Sequence, residues 1–380
     1  MNKELIWLSS PHPSGREMKY IEEAFSKSHI FPNGPNVDGL EEDLKKFTGA
    51  RFVSCLASGT AAIHLALINL GVEQGDEVIC SSFTFSASAN PIVYQKALPV
   101  FVDSEPATWN LQPATLELCI RDRIKRGKRP KAIIAVHLYG MPARMDKIME
   151  IANRYEIPVI EDAAEALGST FDGKPCGTMG EIGILSFNGN KIITTSGGGA
   201  MLSDKPGYCE KAKFLSTQAR DPFPHYEHTH IGYNYRMSNI CAGIGRGQME
   251  VLDERIRKRR ENFLFYKEAL SDLPGISFLE EPDKRFYSNH WLTTILVDPE
   301  KTDGVTREDI RIDFIKRNIE TRPLWKPMHL QPVFADCPAY EDGTSEQLFN
   351  KGLCLPSSSC LSDEDRRFVA DSLHQIITGK

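Results

Sequence analysis

One lysine in this chain stands in a setting suited to a reactive amine. Ser186-Phe187-Asn188-Gly189-Asn190-Lys191 ends in Lys191, and Thr194-Thr195-Ser196-Gly197-Gly198-Gly199 follows close behind. Upstream, Val159-Ile160-Glu161-Asp162-Ala163-Ala164-Glu165 reads as a strand whose carboxylates emerge at its C-terminal end. Pyridoxal 5'-phosphate (PLP) chemistry needs such a pair: an amine to hold the aldehyde as a Schiff base, and an anion to keep the pyridine nitrogen protonated. A third segment, Ser58-Gly59-Thr60-Ala61-Ala62, joins a strand to a helix. Its glycine lets the backbone come close, and a helix N-terminus offers N–H groups to a phosphate. It is not a P-loop, because Gly-Lys-[Ser/Thr] is missing.

Each residue also has a plainer reading. Most lysines are solvated, but Lys191 lies between two apolar segments and before a glycine run, which favours a pocket. Asp162 is a cap or surface acid unless the strand it ends is buried; a carboxylate there needs a cationic partner, which a pyridinium supplies. Ser-Gly-Thr also makes an ordinary helix cap. Glu165 is either a neighbour of the same ring or an exposed glutamate at a helix start. Phe85, in Ser82-Phe83-Thr84-Phe85-Ser86, is a core aromatic or a stacking platform. Thr194, Thr195 and Ser196 either donate near a phosphate or stabilise the turn.

The elements that must position these groups alternate in type. Arg51–Leu56, Glu77–Cys80, Pro99–Asp103, Ala132–Val136 and Val159–Asp162 read as strands. Thr60–Leu70, Phe85–Gln95 and Met145–Tyr155 read as helices between them. Short apolar strands spaced by helices predict an α/β fold with a mostly parallel sheet covered on both faces. In such sheets ligands collect beyond the carboxyl ends of the strands. Ile182–Phe187 and Gly199–Ser203 are expected to be strands joined by the lysine loop. One long amphipathic helix is expected over Ile240–Leu270, leading out of a large domain (1–250). Strand Trp291–Val297 and helices Arg307–Arg317 and Asp363–Ile377 then make a small C-terminal α+β domain (251–380). There is no internal repeat.

Bulk properties narrow the function classes. A chain of 380 residues, 41% hydrophobic and 25% charged, has ample material for two cores. A net charge of −6 suits solubility and does not suggest a nucleic-acid partner. The basic runs Arg121–Lys131 and Arg255–Arg260 lack the interleaved aromatics of single-strand binders. No apolar run is long enough to span a membrane, and the N-terminus does not read as a signal peptide. Nine scattered cysteines without a Cys-x-x-Cys pair argue against a metal site and a disulfide framework. Reduced, mostly buried thiols in the cytoplasm are expected.

Together these motifs resemble the DegT/DnrJ/StrS family of nucleotide-sugar aminotransferases, with the aspartate aminotransferase-like PLP-dependent fold type I. The resemblance runs nearly end to end. It rests on Ser58–Ala62, Glu161–Glu165, Ser186-Phe187 with Lys191, and Gly232-Tyr233-Asn234-Tyr235-Arg236-Met237-Ser238. The stretches Ser186–Gly199 and Arg322–His329 are similar to the subgroup of UDP-N-acetylbacillosamine-pathway 4-aminotransferases. The resemblance implies that Lys191 holds PLP, Asp162 pairs with the ring nitrogen and Phe85 stacks on the ring. Gly59, Thr60 and Ser186 would bind the phosphate, joined by Asn234 from the partner of a homodimer with shared sites. Glu165 stands where many members have glutamine, and implies a polar contact near the ring. The implied substrates are a UDP-linked 4-keto-6-deoxy-N-acetylhexosamine and L-glutamate. Arg236, Arg322, Lys326 and His329 are candidates for the nucleotide phosphates or the donor carboxylate. Some relatives carry histidine at the lysine position and act as dehydratases; the lysine here favours transamination. A PLP-independent Schiff-base lyase would account for the lysine, but not for Asp162 together with the phosphate turn. A non-catalytic PLP-binding regulator would keep the same pocket as a sensor.

Overall fold

The computed structural model describes residues 4–379. Seven apolar runs form the main strands: β1 Phe52–Leu56, β2 Glu77–Ser81, β3 Leu98–Val102, β4 Ala132–Val136, β5 Val159–Asp162, β6 Ile182–Ser186 and β7 Gly199–Ser203. They lie in the order β1-β7-β6-β5-β4-β2-β3, and the short strand Ala339–Tyr340 adds at the β3 edge. Only β7 runs against its neighbours; every other adjacent pair is parallel. Successive side chains leave opposite faces. Ile133 and Ala135 therefore join one buried cluster while Ala132 and Ile134 join the other. Burial on both faces is why these strands read as continuous apolar runs.

A second, antiparallel sheet follows the order Ile276–Phe278, Thr293–Val297, Gly352–Leu355, Arg322–Pro323. Ile295, Phe314, Leu353 and Val369 centre its core. Two segments cross the expected division at residue 250. Ile6 bridges to Ile319 and enters the second core, and Ala339–Tyr340 returns to the large sheet.

Two helices expected as continuous are divided. The Ile240–Leu270 segment forms Asn239–Met249 and Leu252–Ala269, with Val251 between them at φ −123°, ψ 10°. The cause lies in Gly243, Gly245 and Gly247. A Cβ on Gly247 would lie 2.7 Å from Glu17 N, and one on Gly245 2.8 Å from Leu40 Cδ2. Close packing fixes the first helix against the N-terminal helices Glu17–Ser26 and Pro35–Thr48, and the second turns away toward the small sheet. The Phe85–Gln95 segment becomes a 3₁₀ turn, Ser86–Ser88, and a short helix, Asn90–Tyr94, opened by Pro91. Proline suits a first helical turn and not an interior. The strand expected from Trp291 starts at Thr293, because Asn289, His290 and Trp291 form a tight turn with His290 at φ 46°.

β7 passes close behind the Ser58–Gly59 turn: a Cβ on Gly199 would lie 2.4 Å from Gly59 N and 2.5 Å from the Ser58 carbonyl carbon. Gly199→Ala therefore has to push two backbones apart, at a cost of about 1–3 kcal/mol. The expected outcome is a lower thermal midpoint of the apoprotein; an unchanged midpoint would show that the turn is free to move.

Candidate active site

The carboxyl ends of the parallel strands open on one cavity of about 260 Å³. It gathers Gly59, Thr60, Phe85, Asp162, Glu165, Ser186 and Lys191, residues drawn from separate stretches of sequence. At one side the helix Gly59–Asn69 begins. Ser58 caps it, its Oγ accepting from Ala61 N–H at 3.0 Å. The first N–H groups of a helix have no carbonyl within it to receive them, so those of Gly59 and Thr60 remain for an anion. Ser186 lies against this turn; a Cβ on Gly59 would meet Ser186 Cβ at 3.1 Å.

Asp162 ends β5 and is 5% exposed. Its carboxylate accepts from Ser88 Oγ at 2.6 Å and from Ala164 N–H at 3.2 Å. Ser88 Oγ lies in turn 2.8 Å from Thr84 Oγ1. Among the described residues no side-chain cation forms an ion pair with Asp162. A buried carboxylate in this condition calls for a cation, and a pyridinium N–H meets the need. Phe85 is 50% exposed although it lines the cavity, so one face is open to a flat ring. The residues present thus fit PLP: donors for its phosphate, an aromatic platform, an anion for its nitrogen and an amine for its aldehyde.

Lys191 enters from the loop between β6 and β7. Its Nζ lies 3.4 Å from Glu165 Oε1 and 4.2 Å from the centre of the Trp291 ring. Glu165 is buried, so it is no exposed helix-start residue; its other oxygen accepts from Tyr139 N–H at 2.7 Å. Burial pushes the Glu165 carboxyl above the usual range; Lys191 pulls it back, and nearby Asp162 adds to the rise. Thr194, Thr195 and Ser196 serve the turn: Thr195 Oγ1 donates to Gly197 O, and Ser196 N–H to Thr194 Oγ1, both at 2.9 Å.

The expected substrate residues divide. Arg322 and Lys326 line an adjoining cleft that shares Asn190, Trp291 and Trp325 with the lysine cavity. Arg236 is not brought together with them: it lines neither the lysine cavity nor the adjoining cleft. It is 7% exposed and donates to Glu41 Oε1 (2.7 Å), Asn33 Oδ1 (2.7 Å) and Cys55 O (2.9 Å). It clamps the end of β1 to the helix Pro35–Thr48. His329 is likewise occupied, 2.6 Å from Ser82 Oγ and 2.9 Å from Glu341. Asn234 is exposed and outside the lysine cavity of its own chain.

Sequence reasoning missed Trp291 and Trp325, which line the cavity from the C-terminal part of the chain. Both flank Tyr139 in near-parallel stacks, at 6.4 and 6.1 Å. Ser88, the hydroxyl on Asp162, was also missed. Trp325 lies inside a stretch that carried a sequence signal; Trp291 and Ser88 reach the site only through folding.

Because Arg236 neutralises a buried glutamate, Arg236→Met is expected to destabilise the fold by about 3 kcal/mol, the low end for breaking a buried pair. Lys213, 2.5 Å from Glu41, remains to soften the loss. The check is chemical denaturation beside Arg322→Met, which is expected to change stability by less than about 0.5 kcal/mol.

The comparisons with known proteins agree with this geometry. The model of the DegT/DnrJ/EryC1/StrS aminotransferase family matches residues 13–374. EpsN of Bacillus subtilis (strain 168), named as a pyridoxal phosphate-dependent aminotransferase, is 52% identical over 97% of this chain and 95% of its own. GDP-perosamine synthase of Escherichia coli O157:H7 is 34% identical over 97% of this chain and 98% of its own. The crystal structure of a DegT/DnrJ/EryC1/StrS aminotransferase from Brucella abortus superposes with a TM-score of 0.89 at 28% identity, covering 96% of each chain. The lysine cavity, the mostly parallel sheet and these likenesses converge: the chain belongs to the DegT/DnrJ/EryC1/StrS family of PLP-dependent sugar aminotransferases, with fold type I.

Proposed function

We propose that this chain moves an amino group from L-glutamate to a UDP-linked 4-keto-6-deoxy-N-acetylhexosamine, with Lys191 as the amine that holds PLP. The observation that carries the reading is a lysine amine and a buried carboxylate with no ion-pair partner among the described residues, in one cavity beside a helix N-terminus. PLP, when bound, supplies an electron sink next to the carbon that loses its proton. Asp162 keeps a proton on the ring nitrogen, and the Ser88 hydroxyl fixes the carboxylate's direction. Gly59 and Thr60 N–H groups and the Ser186 hydroxyl bind the phosphate. Phe85 orients the ring from one face. Lys191 Nζ takes the donor's α-proton and later returns one, as general base and then acid. Trp291 and Trp325 keep water from that exchange. Arg322 and Lys326, in the adjoining cleft, suit the donor carboxylate or a diphosphate.

Asn234 is proposed to act on a partner's site in a homodimer, because it is exposed and stands outside its own cavity. A cytoplasmic location fits a UDP-sugar and glutamate as substrates, and among the described residues no helix is long and apolar enough to cross a membrane. The UDP group and the 4-keto carbon rest on the resemblance of Ser186–Gly199 and Arg322–His329. The name of the 34% identical relative supports a second reading, a GDP-linked sugar.

Two measurements test the proposal. Asp162→Asn is expected to keep the fold and some PLP while losing at least about 100-fold in kcat, since the electron sink is weakened. Near-wild-type turnover would remove Asp162 from the mechanism. Coupled assays with L-glutamate and 3-keto and 4-keto sugars on UDP, GDP and dTDP are expected to give the UDP-linked 4-keto-N-acetylhexosamine a kcat/KM at least about tenfold above the rest, a difference of about 1.4 kcal/mol. A GDP-sugar preference would replace the first reading with the second.

A further inference from the structure

Lys191 does not merely project into a cavity; its amine rests in a built cradle. One arm is Glu165, 3.4 Å from Nζ. The other is the face of Trp291, with Nζ 4.2 Å from the ring centre. A cation over an indole face is attracted by the ring quadrupole, most strongly where water is excluded. Both arms come from outside the lysine's own loop, and each is held by more than one contact.

Two residues tie the arms together. Tyr139 donates its backbone N–H to Glu165 Oε2 at 2.7 Å and stacks its ring on Trp291 at 6.4 Å and 13°. Its φ is 54°, a left-handed conformation that a non-glycine residue adopts only when its surroundings impose it. Asn289 is fully buried. Its Nδ2 donates to the carbonyls of Glu165 (3.0 Å) and Leu167 (2.9 Å), while its Oδ1 accepts from Trp291 N–H at 2.8 Å. Trp291 is held again at its indole Nε1–H, which donates to Asn190 O at 2.8 Å, the residue just before Lys191. Arg259 donates to the Trp291 carbonyl from behind.

We propose that Glu165 and Trp291, bridged by Tyr139 and Asn289, form a holding site for the ammonium of Lys191 whenever that amine is free. The inference rests on Lys191 being the PLP lysine. In the proposed reaction the amine would be freed and would carry a proton, at a side chain only 11% exposed. An ammonium there without partners would be strongly disfavoured. The cradle supplies an anion and a π face together. The charged and titratable groups around Nζ are Glu165 and Asp162 in the cavity, Tyr139 behind Glu165 and Arg259 behind Trp291. Glu165 and Trp291 are thus positioning residues, acting through Lys191.

The test measures the free amine directly, in apoprotein. Lys191 is acylated by trace isotopic acetic anhydride and quantified by peptide mapping against exposed Lys128 as internal standard. At pH 8, Glu165→Gln and Trp291→Leu are each expected to raise relative labelling of Lys191 by about three- to tenfold, because less of the amine is held as ammonium. At pH 11 the variants and the wild type are expected to agree within about twofold, and Trp291→Phe, which keeps a π face, to lie between wild type and Trp291→Leu at pH 8. Unchanged labelling at pH 8 overturns the proposal. So does a gain equally large at pH 11, which reports access alone. Glu165→Gln is nearly isosteric and keeps the acceptor for Tyr139, so the test stands if Trp291→Leu fails to fold. Borohydride reduction of the holoenzyme with peptide mapping checks the reading beneath it: an adduct on another lysine removes Lys191 from PLP chemistry while leaving the cradle measurement readable.

Discussion

A carboxylate buried at the end of a strand, with no ion-pair partner among the described residues, is a costly arrangement, and Asp162 stands in one. β5 places it there because Val159 and Ile160 are buried between two layers, so the strand has no freedom to tilt its end into water. Ser88 and the Ala164 N–H satisfy some of the oxygen lone pairs. Hydrogen bonds of this kind orient a carboxylate without neutralising it. The same strand layer sets the ends of β1, β4 and β6 around that charge. The amine, the helix N-terminus and the acid share one cavity as a consequence of sheet order, not of sequence proximity.

The part of the site legible in the sequence is the part carried by chain-local signals. Lys191 shows itself by a glycine run after it, Asp162 by the apolar strand it ends, and Thr60 by a cap and helix start. Each signal is a short stretch whose physics is complete within a few turns of chain. Trp291, Asn289 and Tyr139 have no such signal. Their roles arise from contacts between distant parts of the sequence, such as Trp291 Nε1 to Asn190 O. Arg236 sits in a stretch that resembles a site segment, and nothing local reveals Glu41, far back in the chain, as the anion it pairs with. The Gly243–Gly247 run reads as part of one long helix for the same reason: only the helices Glu17–Ser26 and Pro35–Thr48 show why three glycines are needed there.

The C-terminal part of the chain meets the large sheet's loops at the lysine cavity. Trp291 and Trp325 belong to the C-terminal part of the chain, but Trp291 is bonded to the lysine loop at Asn190, and Trp325 N–H donates to the Tyr139 hydroxyl at 2.9 Å. Tyr139 stands between them and touches Glu165. A shift of that part would pass into the position of the lysine through these bonds. The indole walls therefore line the cavity and also register that part against the large sheet's loops.

This division of rigidity bears on specificity. Around Lys191 and Asp162 the polar side chains are held by fixed partners, as a proton transfer that depends on close positioning requires. In the adjoining cleft Arg322 and Lys326 stand on flexible stems, and Arg322 pairs with Glu320 at the surface. Long solvated cations of this kind accept several anions in several poses, because little is lost when a partner changes. Under the proposed function, the amino transfer would belong to the buried wall and the choice of nucleotide to the cleft. The cleft can change its exposed side chains while Asp162 and Lys191 stay where the core puts them.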